Sequence, residues 1–210
     1  MERARNIEVE LGGSSFEFMT ADGLFSPKSA DRGTLAMLSL VSFDSADRVL
    51  DLGCGYGIVG IYAASLIGAD RVVMSDISDE AVSAARHNAE LNGVPEIRVI
   101  QSDGYENIPE RDFTCILSNP PYHTDFSVAK RFIEGGYAHL LDSGRMIMVT
   151  KRLEWYKNKL TSVFGGVRVY EKDGYYIFIS EKRIKKSKEK PRNKAKLSKK
   201  LARKYSGMQK

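Results

Sequence analysis

Cysteine is almost missing from this 210-residue chain. Cys54 and Cys115 stand far apart, with no Cys-x-x-Cys pair and no Cys/His ligand spacing, which excludes a disulfide framework and leaves no zinc signature. Two reduced, structural thiols and no resident metal are expected. Long apolar runs are missing as well: the longest, Gly57 to Ala69, is too short to span a bilayer, and the opening MERARNIEVE has no apolar h-region. The expectation is a soluble, cytoplasmic protein without a membrane partner. Internal repeats are absent too. What the chain does have is 42% hydrophobic and 10% aromatic residues, enough for one sizeable core, and its length favours one globular unit over two.

The formal net charge of +5 hides an asymmetry. Residues 181–210 carry 14 Lys and Arg against Glu181 and Glu189, whereas residues 1–180 carry 18 basic against 25 acidic side chains. A cationic tail on an acidic body fits a polyanion partner, nucleic acid ahead of membrane because the tail has few large apolar residues; a solvated tail that aids solubility is the alternative. Within the tail, Pro191 suits a helix start, and Leu197, Leu201 and Tyr205 recur at i, i+4 and i+8. A basic helix with a thin apolar stripe and a charged disordered segment both remain open.

From about residue 48 the pattern is strand, glycine turn, helix, repeated. RVLDL (48–52), RVVMSD (71–76), IRVIQSD (97–103), FTCILS (113–118) and RMIMVT (145–150) are short β-rich runs, mostly with helical stretches between them, as βαβ units on a parallel sheet require. Ser78 caps the expected helix after the second run and Asn92-Gly93 ends it. A further helix is expected near Leu153–Val163. GVRVYEKDGYYIFISEK then reads as a hairpin turning at Lys172-Asp173-Gly174. Ahead of the core, IEVELGGSSFEFMTADGLFS reads as a small hairpin and DRGTLAMLSLV (31–41) as a helix, placed to close over a ligand or to cover a sheet face. The resulting division is 1–45 for hairpin and helix, 46–181 for the core and 182–210 for the basic tail.

VLDLGCGYGIVG (49–60) puts Asp51 at a strand end, then Gly53, Gly55 and Gly57, then a helix. Glycine lets the backbone turn sharply and approach a ligand closely. Gly55-x-Gly57-x-x-Gly60 also satisfies the dinucleotide fingerprint, with Asp76 in the window of a ribose-binding carboxylate. Asp51 favours S-adenosylmethionine over a nicotinamide dinucleotide, because a carboxylate ahead of the glycines repels a pyrophosphate and attracts an ammonium. Asp76 then suits the ribose hydroxyls and Asp103, after the third run, the adenine amino group. Each alone is also an ordinary turn or cap residue; three in register at successive strand ends form a pattern.

The fourth run ends in LSNPPYH (117–123). A base amine or a carboxamide nitrogen is a poor nucleophile because its lone pair is delocalised, and it must pyramidalise to attack a methyl sulfonium. Asn119 Oδ1 and the Pro120 carbonyl can each accept a hydrogen bond from such an NH₂, aiming the lone pair and stabilising the developing positive charge. Pro121 keeps its predecessor out of helical dihedrals, and Tyr122 offers a face for stacking. A rigid turn is the bland reading of the same four residues. His123 is a spacer or an aid to proton loss, and His87 and His139, in expected helices, are structural.

From about Ser15 to Glu181 the chain resembles the class I S-adenosylmethionine-dependent methyltransferases, and within them the small methyltransferase domain typified by ribosomal RNA guanine-N2 methyltransferases. The motifs that carry the resemblance are GLFSPKSADRGT, VLDLGCGYGIVG, SDIS, SDGYENI, SNPPYH and GYYIFIS. It implies an α/β, Rossmann-like fold: a seven-stranded, mostly parallel sheet with a reversed last strand and helices on both faces. It implies cofactor contacts at Asp51, Gly53, Cys54, Gly55, Asp76, Ile77, Asp103, Gly104 and Asn119, with catalysis at Asn119, Pro120, Pro121 and Tyr122. By the same comparison SPKSADRGT lines the methionine end, through Arg32 and Thr34. The implied partner is RNA, ribosomal in the leading reading and held partly by the basic tail. Larger bacterial members carry a degenerate second copy of the domain in front, without a counterpart in these residues. Guanine N2 leads on the overall resemblance; Tyr122 stands where bacterial guanine enzymes often have phenylalanine and where adenine-N6 and glutamine-N5 enzymes commonly have tyrosine, so those two are the alternatives. Oligomeric state has no signature in the sequence.

Overall fold

A computed structural model describes residues 5–24, 26–121 and 126–183. The basic tail beyond 183, Tyr122 and His123 lie outside these residues, so the expectations placed on them are not addressed by the fold.

The chain begins with the hairpin β1 (Arg5–Leu11) and β2 (Ser14–Thr20), closed by Gly12 and Gly13 at φ 58° and 84°, the left-handed conformations a two-residue hairpin turn requires. Its alternation turns Val9, Leu11, Phe16 and Phe18 inward. There follow α1 (Arg32–Leu38), β3 (Val49–Leu52), α2 (Ile58–Ile67), β4 (Val72–Asp76), α3 (Asp79–Leu91), β5 (Arg98–Gln101), β6 (Phe113–Ser118), α4 (Phe126–His139), β7 (Leu140–Thr150), α5 (Leu153–Phe164), β8 (Arg168–Lys172) and β9 (Tyr175–Glu181). The main sheet has seven strands in the order β5-β4-β3-β6-β7-β9-β8; all pairings are parallel except those of β9 with β7 and β8. The reversed last strand is present, and its hairpin turns at Asp173 and Gly174, φ 54° and 77°.

Period-two alternation splits the core. Val49, Met74, Cys115, Leu117, Ile147 and Ile177 face a layer made of the N-terminal hairpin and α1 to α3. Leu50, Leu52, Val73, Phe113, Ile116, Met146, Met148 and Phe178 face α4 and α5. The apolar run at 57–69 is α2, whose residues Ile58 to Ile61, Ala63 and Ala64 are buried, so it is a core helix. Among the described residues no helix is long and apolar enough to cross a membrane.

Two local features depart from the sequence reading. β7 begins at Leu140, not near 145: Leu140 pairs with Phe113 of β6 ahead of a register shift, the Lys182 backbone pairs with Ser143 and Gly144, and Lys182 Nζ donates to the Leu140 carbonyl. The hairpin, in turn, docks on α3 through two asparagine side chains. Asn88 Nδ2 donates to the Met19 and Tyr56 carbonyls at 3.0 and 2.9 Å while its Oδ1 accepts from Met19 N at 2.7 Å. One helical turn on, Asn92 makes the same amide pairing with Glu17. Residues at i and i+4 of a helix thus match i and i−2 of a strand, and β2 gains an edge partner in place of a third strand.

From β3 the chain runs outward through β4 to β5, then returns to the other side of β3 as β6. This reversal opens a crevice at the carboxyl ends of β3, β4 and β6, where open α/β sheets bind ligands.

Candidate functional site

The crevice holds a cavity of about 380 Å³. Its lining comes from the ends of β3, β4 and β6, the loop after β5, the start of α1 and the inner face of α4.

Asp51 lies on β3, on the face toward α2, and is 3% exposed. Its Oδ2 accepts from Gly60 N in the first turn of α2 at 2.9 Å. Gly60 is needed there because a Cβ would lie 2.4 Å from Met74 Cγ and 3.4 Å from that same carboxylate oxygen. Burial raises the Asp51 pKa to about 7 from an ordinary 3.8; the Gly60 hydrogen bond pulls it down and the charge of Asp76 pushes it up. In the turn itself Gly53, Gly55 and Gly57 all have positive φ. Cys54 is buried, and burial together with the charges of Asp51 and Asp76 drives its thiol pKa well up, so it is a neutral packing group.

Asp76 ends β4 with both carboxylate oxygens held, Oδ2 by Gly55 N at 2.9 Å and Oδ1 by Ser78 N at 3.0 Å. Ile77 follows it, 64% exposed yet part of the lining, an apolar side chain on the rim suited to the face of a planar ring. Asp103 and Gly104 line the next stretch, and Phe132 of α4 packs beside them, its ring 3.6 Å from where a Cβ on Gly53 or Gly104 would stand. The Asp103 carboxylate is paired with Arg131 at 2.8 Å.

At the end of β6, Ser118 Oγ donates to the Leu52 carbonyl at 2.8 Å and ties the strand to β3. Asn119, Pro120 and Pro121 then line the cavity. Asn119 Nδ2 donates to Asp31 Oδ2 at 2.8 Å and to Thr34 Oγ1 at 2.9 Å. The two N–H bonds of the amide therefore have an acceptor each on α1, which orients the opposite, Oδ1 edge away from that helix. Asp31 is itself fixed, since the same oxygen caps α1 by accepting from Thr34 N at 2.8 Å.

Of the expected contributors, Asp51, Gly53, Cys54, Gly55, Asp76, Ile77, Asp103, Gly104, Thr34, Asn119, Pro120 and Pro121 all come to one cavity. Arg32 does not: it is exposed on the first turn of α1, and Asp31 lines the cavity in its stead. Successive helical residues differ by about 100° in direction, so Asp31 and Thr34, three apart, share the inner face that Arg32 leaves. The N-terminal hairpin gives no residue to the lining. His139 is 5% exposed, set between the Gly135 and Ile108 carbonyls and stacked on Tyr105, a packing role as expected.

Sequence reasoning missed Asp31, Tyr56, Ser75, Val128, Arg131 and Phe132. Asp31 had a signal in its Asp-x-x-Thr capping position, and Val128, Arg131 and Phe132 in their shared face on the helix that follows the Asn-Pro-Pro segment. Tyr56 Oη and Ser75 Oγ are buried in the lining without a hydrogen-bond partner among the described residues. A cavity with four carboxylates, two unpaired hydroxyls and apolar walls matches a ligand that has cationic groups, a diol and a flat ring.

The family model described as "Methyltransferase small domain" matches residues 15–180. The uncharacterized protein YbxB of Bacillus subtilis is 32% identical over 180 residues, covering 82% of this chain and 89% of that one. Ribosomal RNA small subunit methyltransferase C of Pseudoalteromonas atlantica is 34% identical over 165 residues, 77% of this chain but 48% of the relative, so the chain spans about half the length of such relatives. Among solved structures, a Thermus thermophilus 16S rRNA guanine-N2 methyltransferase in complex with AdoMet and guanosine superposes with a TM-score of 0.73 at 25% identity, covering 86% of this chain and 51% of that one.

Proposed function

The chain belongs to the methyltransferase small domain family, and from that premise we propose that it methylates an exocyclic amine of an RNA base, guanine N2 of ribosomal RNA in the first instance. The observation that carries the reading is the Asn119 amide at the mouth of an acidic cavity, its two donors taken by Asp31 and Thr34. A substrate NH₂ needs acceptors, and this anchoring selects the acceptor edge of the amide.

S-adenosylmethionine, when bound, supplies a methyl group activated on a sulfonium. Asp51 is suited to its ammonium and Asp76 to its ribose hydroxyls; Ile77 and Phe132 give apolar contact to adenine, with Asp103 and the Gly104 backbone at the ring edge. Tyr56 and Ser75 would find in this ligand the partners they lack among the described residues.

The reaction needs the amine lone pair localised and pointed at the methyl carbon. Asn119 Oδ1 and the Pro120 carbonyl accept the two amine hydrogens, which draws the nitrogen toward sp³ and stabilises the positive charge that grows on it. The methylated ammonium is acidic, so solvent suffices to take its proton. Because the base must leave its stack to enter, the target nucleotide is unpaired or flipped. The tail of residues 182–210 adds sequence-independent phosphate contacts.

The test is transfer of tritiated methyl from S-adenosylmethionine to total RNA and, in parallel, to total protein from cells that lack this protein. Label in RNA supports the reading. Label in protein alone replaces it with the glutamine-N5 alternative.

A further inference from the structure

The body of the protein is acidic, yet the rim beside Asn119 is not. Parallel pairing of β6 with β7 sets Ser118 opposite Met148, so Lys151 and Arg152, which follow β7, lie on the same sheet edge as Asn119, one strand away. Both are exposed, as is Arg32 at the start of α1. These cations form one neighbourhood. Lys151 Nζ sits 4.9 Å from the centre of the Tyr175 ring, and that ring abuts α1 so closely that a Cβ on Gly33 would lie 2.7 Å from it. The Arg152 guanidinium lies over Phe126 at 4.9 Å, and Phe126, which opens α4 just after the Asn-Pro-Pro segment, stacks on Trp155 at 4.2 Å and 14°.

How these charges are held sets them apart. Arg5, Arg48, Arg98, Arg131, Arg145 and Lys159 each face a carboxylate. Lys151 and Arg152 are laid on aromatic rings, and neither Arg32 nor Lys151 has a salt bridge among the described residues. A ring fixes where a cation sits without cancelling its charge. Cations set on aromatic side chains around an acidic cavity match a single-stranded nucleic acid, with the base going inward and the phosphates staying out.

We infer that Arg32, Lys151 and Arg152 form a phosphate-binding rim that grips the RNA backbone on either side of the methylated nucleotide and sets its register over Asn119. This rests on the RNA reading above. The rim differs from the tail in kind: it acts next to the chemistry and fixes position, while the tail contributes sequence-independent affinity.

The test uses the full chain with Arg32→Gln, Lys151→Gln and Arg152→Gln, singly and together, and measures RNA KM, kcat and the salt dependence of KM on an RNA that the unaltered protein methylates. Each lost phosphate contact lowers the log–log salt slope by about 0.7 for a single strand, so the triple variant should lower it by about 2 while S-adenosylmethionine Kd stays unchanged. Arg152→Lys should keep the slope. Arg71→Gln, at the opposite edge of the sheet, should keep both slope and KM. If the unaltered protein methylates RNA and the triple variant keeps its slope and KM, the rim is refuted and the RNA reading stands; should the triple variant fail to fold, the single variants decide by the same criterion. If the unaltered protein leaves RNA unmethylated, the functional reading itself has failed.

Discussion

Replacing Asp51 by asparagine removes a charge but keeps the shape, and the asparagine oxygen can still accept from Gly60 N, the 2.9 Å partner of the native carboxylate. In the unfolded chain the Asp51 carboxyl titrates at its ordinary 3.8, whereas in the fold burial raises it to about 7. Between those values the native state holds a proton that the unfolded state has lost, so stability falls as pH rises through this window and levels off above it. At about 1.4 kcal/mol per pH unit, the span from 3.8 to about 7 amounts to roughly 4 kcal/mol of native-state penalty at pH 8. Asparagine carries no such penalty. Urea unfolding of the ligand-free protein from pH 4 to 8.5 should show the variant gaining on the native chain by up to about 4 kcal/mol across the window, with a flat difference above it. Any fixed effect of the new amide shifts the whole curve, so the slope is the readout. A pH-independent difference would refute the claim that burial sets the state of Asp51.

The same proton bears on the ligand: affinity for S-adenosylmethionine should fall up to tenfold per pH unit below about 7 in the native chain and lose that dependence in Asp51→Asn, as calorimetric titration would reveal. Asn119→Ala should lower kcat by on the order of 10²–10³ with cofactor Kd nearly unchanged; a collapse of cofactor affinity would mean that Asn119 supports the fold instead. Asp31→Ala should lower kcat and also cost about 1 kcal/mol of stability from the lost cap, and in an Asn119→Ala background its effect on kcat should largely vanish, since it acts through that amide. Asn88→Ala removes three hydrogen bonds that dock the hairpin and should cost at least about 3 kcal/mol in urea unfolding, more than the exposed Asn92→Ala; equal losses would refute the anchoring role.

What could be seen in the sequence was local. Short β-rich runs at regular spacing, the Ser78 cap and the Asp173-Gly174 turn each need only neighbouring residues, and the fold has them where the pattern put them. The Asp51, Asp76 and Asp103 series was visible because each ends a strand, and the crevice gathers strand ends. Contacts between distant segments were not visible. The anchoring of Asn119 by Asp31 spans 88 positions and the Asn88 pairing with Met19 spans 69, and no periodicity encodes either. Arg32 was assigned to the cavity for want of one angle: without the packed face of α1, its neighbour Asp31 could not be told from it. The start of β7 at Leu140 was not visible from the run RMIMVT because the pairing there is with Phe113 and Lys182, both distant in sequence.

In the proposed reaction Asn119, held by α1, presents an acceptor to a base amine. The most direct test of this role is mass spectrometry of nucleosides from RNA treated with the protein and S-adenosylmethionine, alongside RNA treated with Asn119→Ala. N2-methylguanosine formed by the native chain and nearly lost with the variant is the expected result. A methyl group on a ribose oxygen or a ring carbon, or a yield that the variant leaves unchanged, would contradict it.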